Sequence, residues 1–230
     1  MGGAVTGERG SAVLPAGRHT WLGLVAALAA LVVVALAGLY ADGSRPGALD
    51  RRIGAEAEDA GPAWRDVALG VDFLGEPGGA ALLVAAAAAG ALVLRRPRAA
   101  VFVVLGPALA VLVTKLLKPL VGRTIHDGSL SFPSGHTAFL TAFALAVALL
   151  ATGRTGPGGT AGPALVLGAA TAAGAAMGWA QVALGAHYPT DALGGWCTAL
   201  AVTPATAWLL DRTADRLSRR PVDASSPGRR

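Results

Sequence analysis

Apolar residues run in long blocks along this chain, with short polar pieces between them. A helix needs about 20 predominantly apolar residues to cross a hydrocarbon core about 30 Å thick. The first such block is "WLGLVAALAALVVVALAGLY", Trp21 to Tyr40. A polar stretch from Asp42 to Asp72 follows, and then "PGGAALLVAAAAAGALVL", which closes on Arg95, Arg96 and Arg98. Further spans are expected from about Ala99 to Leu117, His136 to Ala151, Pro163 to Val182 and Pro189 to Leu210. The pattern predicts an all-α, six-span transmembrane helical bundle over residues 21–211, flanked by tails at 1–20 and 212–230. The first block exceeds the apolar core of about 7–15 residues found in a signal peptide, so it is read as a retained span.

Within this pattern the second and fifth spans are rich in alanine and glycine, which suits close helix–helix approach. Residues 49–74 mix charges with Ile53, Trp64, Val67, Leu69 and Phe73. That stretch is consistent with an amphipathic helix at the outer interface or with a plain solvated connection.

Composition agrees with a membrane protein. Hydrophobic residues make up 53% and charged residues 14%, against about 25% charged in soluble domains. Mean hydropathy is +0.56. The net charge of +5 sits mostly where apolar blocks end, with no basic stripe interleaved with aromatics, so no nucleic-acid partner is expected. Arg9, Arg18, Arg95, Arg96, Arg98, Arg154 and the tail arginines share one side of a six-span chain. Glu56, Glu58, Asp59 and Asp66 fall on the other. The positive-inside rule then places both termini in the cytoplasm of a plasma-membrane protein. The single cysteine, Cys197, forms no intramolecular disulfide and is read as packing.

With that topology, two non-adjacent loops face outward together. One contains "FPSGHTAFL". A helix starting here turns free N–H groups toward the loop, an arrangement that attracts phosphate. Ser134 adds a hydroxyl and His136 lies on the first turn; alternatively Ser134 only caps the helix. The other loop is "ALGAHYPTDALGGW". Pro189 suits the first turn of a helix, and His187 and Asp191 are four apart, on one face if both are helical. Asp191 can then hold one imidazole nitrogen and leave the other as a nucleophile, or Thr190 caps the helix and Asp191 merely favours its dipole. In-line attack on phosphorus needs a nucleophile and a proton donor on opposite sides. His187 and His136 fit those places, and Arg123 and Lys118 offer positive charge to the equatorial oxygens. Lys115 is equally consistent with snorkelling to the interface. His126 beside Asp127 completes a loose set of possible ligands, but no close-spaced metal signature exists and no metal or cofactor is expected.

These residues resemble the membrane phosphatases of the phosphatidic acid phosphatase type 2 superfamily, which shares its core with vanadium haloperoxidases. Pro-Ser-Gly-His stands intact at Pro133–His136, and His187 and Asp191 keep the interval of the last family signature. Where the first signature reads Lys, six residues, Arg-Pro, this chain offers "KPLVGRTIHDG", with Arg123 at the position of an arginine that often precedes it. The resemblance implies His187 as nucleophile, Asp191 orienting it, His136 protonating the leaving group, and Lys118, Arg123, Ser134 and Gly135 binding phosphate. It departs at the Arg-Pro positions, here Ile125 and His126, and at the Ser-Arg pair, here Ala180 and Gln181. His126 and Gln181 are the substitutes to consider, although Gln181 carries no charge. The expected function is hydrolysis of a lipid phosphate or diphosphate in the bilayer. A lipid-phosphate-binding or scaffold protein is the alternative, and transport has less support because no charge interrupts a span centre.

Overall fold

The computed structural model describes residues 12–13, 19–58, 61–126, 128–155 and 161–218. Among the described residues there are eight helices, α1 (His19–Tyr40), α2 (Ala48–Glu58), α3 (Pro62–Phe73), α4 (Pro77–Val93), α5 (Pro97–Val121), α6 (Gly135–Thr155), α7 (Ala161–Ala183) and α8 (Pro189–Ser218). Four of them, α3, α4, α5 and α8, begin on proline, whose fixed φ and missing N–H are tolerated in a first turn. α5 ends at Gly122, whose φ of 67° closes the helix in the left-handed region.

Five helices, α1, α5, α6, α7 and α8, are long and apolar enough to cross a membrane. A sixth crossing comes from α3 and α4 taken together across a 56° bend. The second expected span is α4, which with 17 residues is at the short limit for a crossing. The stretch 49–74 is neither one helix nor a plain connection. It folds into α2, packed on α7 and α8, and α3, packed on α7. The last span runs past its expected end at Leu210 to Ser218.

α6 packs on α5, α7 and α8, and α8 also packs on α1 and α5. These two helices form the centre of the bundle, while α1 leaves most of its leucines and valines exposed, as a lipid-facing helix does. At one end of the bundle the two terminal segments meet α5. Val13 N–H donates to Asp211 at the far end of α8, and Arg98 pairs with Asp215 at 3.5 Å. Arg9, Arg18, the side chain of Arg154 and the arginines beyond 218 lie outside the described residues.

At the opposite end, glycines let α6 and α8 touch through their backbones. A Cβ on Gly195 would stand 2.3 Å from the carbonyl oxygen of Ser134, and one on Gly194 would stand 2.4 Å from the ring of buried Phe132. Gly195→Ala must therefore push α8 off the start of α6. We expect it to lower stability by about 1–3 kcal/mol, read as a fall in melting temperature in detergent; an unchanged melt would show that this contact is slack.

Candidate active site

The start of α6 is built by Ser134. Its Oγ accepts from the Thr137 N–H at 3.4 Å and the Thr137 hydroxyl at 3.1 Å, an N-cap of the usual kind. Its own N–H donates to the carbonyl of Asp191 at 2.9 Å. That bond joins the segments 133–136 and 187–191 directly, between residues 57 positions apart in sequence (191 − 134). Gly135 opens the helix and His136 follows it on the first turn.

Tyr188 precedes α8, and its N–H donates to Asp191 Oδ2 at 3.0 Å. An acid three places into a helix reaching back to the preceding N–H is one half of a capping box. The Thr190 N–H donates to Asp50 Oδ1 at 2.9 Å. An acid from α2 thus satisfies an amide that α8 cannot pair within itself. Thr190 does not cap its own helix. Its hydroxyl donates to Asp50 Oδ2 at 3.0 Å and accepts from Arg123 at 2.7 Å.

Arg123 is completely buried. One terminal nitrogen donates to Asp191 Oδ1 at 2.5 Å and the other to Asp50 Oδ2 at 2.8 Å. The guanidinium lies over the ring of Tyr40, 3.9 Å from its centroid, with Tyr188 at 4.7 Å, a stacked environment that favours arginine over lysine. Both ends of its fork are thus committed to carboxylates.

His187 follows α7 in a turn tied to Gln181, whose carbonyl accepts from the N–H groups of Ala186 and His187. Its ring is 8% exposed, and Nδ1 stands 3.7 Å from Asp191 Oδ2, within ion-pair range but beyond a hydrogen bond. Burial pushes the His187 pKa below that of a free imidazole. The Asp191 carboxylate draws it back up, while Lys118 and His136 push it further down.

Around His136 the elbow between α3 and α4 brings two acids. Nε2 lies 3.8 Å from Asp72 and 3.6 Å from Glu76, and it makes no hydrogen bond among the described residues. Gly75 is in the same elbow, where a Cβ would come within 2.5 Å of the His136 ring. The amide of Gln181 donates to Asp72. Ligand atoms of Asp72, Glu76 and His136 fall within 4.8 Å of one another, the one grouping among the described residues that could take a metal ion.

Of the remaining sequence candidates, Lys118 donates to the Leu130 carbonyl at 2.8 Å. Ile125 is buried, so the side chain at that family arginine position is packing. His126 lines a cavity of about 250 Å³ together with His187, Tyr188, Asp50 and Arg51. Asp127 lies outside the described residues. Next to this cavity, sharing Val182 and Pro189 with it, an apolar groove of about 370 Å³ runs between α2, α7 and α8 past Trp179 and Trp196. Sequence reasoning missed Asp50, Arg51, Asp72 and Glu76, which lie in or beside a polar stretch with no motif to single them out.

A family model described as the PAP2 superfamily matches residues 18–214. The fold is similar to a solved crystal structure, a transmembrane PAP2 type phosphatidylglycerolphosphate phosphatase from Bacillus subtilis. The TM-score is 0.65 at 22% identity, over 85% of this chain and 98% of that one. No curated protein matches the chain.

Proposed function

The chain belongs to the PAP2 superfamily, and from that membership we propose that it hydrolyses a phosphomonoester or diphosphate of a membrane lipid through a phosphohistidine, without a metal, at the outer face of the plasma membrane. The observation that carries this reading is the hydrogen bond from Ser134 to Asp191, which puts the two histidine-bearing segments side by side. Neutral His187, with Nδ1 toward Asp191, attacks phosphorus through Nε2. The bond to the leaving oxygen breaks, its electron pair stays on that oxygen, and protonated His136 supplies the proton. Water then attacks phosphorus and gives a proton to His136, the bond from phosphorus to Nε2 breaks with its electron pair returning to His187, and phosphate leaves. Lys118 and the capped start of α6 at Ser134 and Gly135 face the phosphoryl oxygens in this reading, while Arg51 and His126 stand beside His187 where the usual arginines are missing. The apolar groove next to the site suits an alkyl chain. The phosphatidylglycerolphosphate phosphatase of similar fold adds that lipid to phosphatidate and polyprenyl diphosphate as substrates to test.

A phosphate-release panel with these three lipids in detergent and EDTA tests the proposal. Turnover of at least one is expected. Loss of that turnover in EDTA would instead assign a cation to Asp72, Glu76 and His136. Binding of a lipid phosphate without release by the wild-type chain would support the second reading, a lipid-phosphate-binding protein, which Ile125 and Gln181 favour.

The pH dependence has a definite sign. The attacking ring must be neutral, and burial lowers its pKa. The acid limb of kcat/KM should therefore lie below the ordinary imidazole value of about 6.5. A limb at or above that value would contradict His187 as the attacking group.

A further inference from the structure

We propose that Asp50, on α2, is a positioning residue for the His187–Asp191 pair, holding Arg123 so that the buried cluster keeps a negative charge facing the imidazole. This rests on the phosphohistidine reading. Two carboxylates, Asp50 and Asp191, share one guanidinium, Arg123. Counted as −1, −1 and +1, the three leave one net negative charge, and all three side chains are fully buried. Water cannot screen that charge as it does at a surface.

The charge matters when His187 attacks. As the bond from Nε2 to phosphorus forms, the ring, still holding its Nδ1 proton, becomes cationic. Asp191 Oδ2 lies 3.7 Å from the Nδ1 that carries it. If Asp50 were neutral, Arg123 would cancel Asp191 alone, and the emerging cation would meet no net counter-charge. Asp50 also fixes the geometry. It accepts from the Gly47 N–H, the Thr190 N–H and the Thr190 hydroxyl, so it pins α2 to the first turn of α8. Other charges around the His187 ring are Lys118 from α5 and His136 from α6. Arg51 on α2 and His126 on the loop after α5 share its cavity. Asp50 lines the same cavity, but Asp191 is the carboxylate within ion-pair range of the ring, and Asp50 acts on it through Arg123.

The test is the titration of His187 followed by NMR in ¹⁵N-histidine-labelled full-length protein in detergent, its resonance assigned by loss in His187→Gln. Asp50→Asn removes the charge and keeps the size; Asp50→Ser is a second neutral replacement should the new amide clash with Arg123. The His187 midpoint is expected to fall by about half a pH unit or more in both. kcat/KM is expected to fall about tenfold, with its acid limb moved the same way. Asp50→Glu, which keeps the charge, should leave the midpoint near wild type even where strained geometry slows turnover. An unmoved midpoint in a folded neutral variant overturns the proposal, as does a chain that folds only with an acid at position 50, which would make Asp50 purely architectural. If no lipid phosphate is turned over but the midpoint shifts, the charge coupling stands and the phosphatase reading is what fails.

Discussion

His187→Ala is expected to abolish phosphate release, by at least about a thousandfold, while leaving a folded protein. Both halves follow from the geometry. The ring is the nucleophile in the proposed cycle, and loss of a covalent nucleophile costs many orders of magnitude in comparable enzymes. Yet among the described residues its Nδ1 has no hydrogen-bond partner, only the 3.7 Å approach to Asp191. Its removal therefore strips no buried partner of a strong bond, and the melting temperature in detergent should change little. Brief incubation of wild type with ³²P-labelled lipid should trap an acid-labile, base-stable phosphoenzyme, absent from the variant. His136→Ala should behave differently. Its loss removes proton donation, worth roughly 10²–10⁴-fold, and the penalty should shrink for a phosphoester whose leaving group is already a weak base. Equal losses on good and poor leaving groups would exclude His136 as the acid.

The long apolar blocks announce the bundle because each crossing must satisfy its backbone internally and face lipid or another helix, and both demands write themselves into consecutive residues. The segments around His136 and His187 stood out for a similar reason: each sets its polar residues in a few adjacent positions at a helix start. What the sequence hid lies at long range. Asp50 reaches Arg123 across 73 positions and Thr190 across 140, and Gln181 reaches Asp72 across 109. No periodicity encodes such pairs. Asp50 looks like any first-turn acid of a polar helix until the helix is laid against α8. The partners of Arg123 were hidden for the same reason. From sequence it is a free cation beside a phosphate motif, whereas in the fold both ends of its fork are taken.

That difference makes Arg123→Ala the second large effect. For an arginine that clamps phosphate at an open site, truncation leaves a stable protein with a raised KM. Here truncation leaves the carboxylates of Asp50 and Asp191, both fully buried, without the cation between them, and removes the flat group that Tyr40 stacks on. Breaking a buried ion pair by deleting one partner costs about 3–5 kcal/mol, a large fraction of the stability of most folded chains. The variant should melt far below wild type or fail to survive extraction in detergent, and whatever folds should turn over slowly because Asp191 is no longer held. Arg123→Lys keeps the charge but cannot reach both carboxylates with a planar fork, so it should fall between the two. Low pH offers an independent check: protonating the orphaned carboxylates should partly restore the melting temperature of Arg123→Ala relative to wild type. A variant with normal thermal stability and a raised KM alone would return Arg123 to the phosphate and release Asp191 from its control.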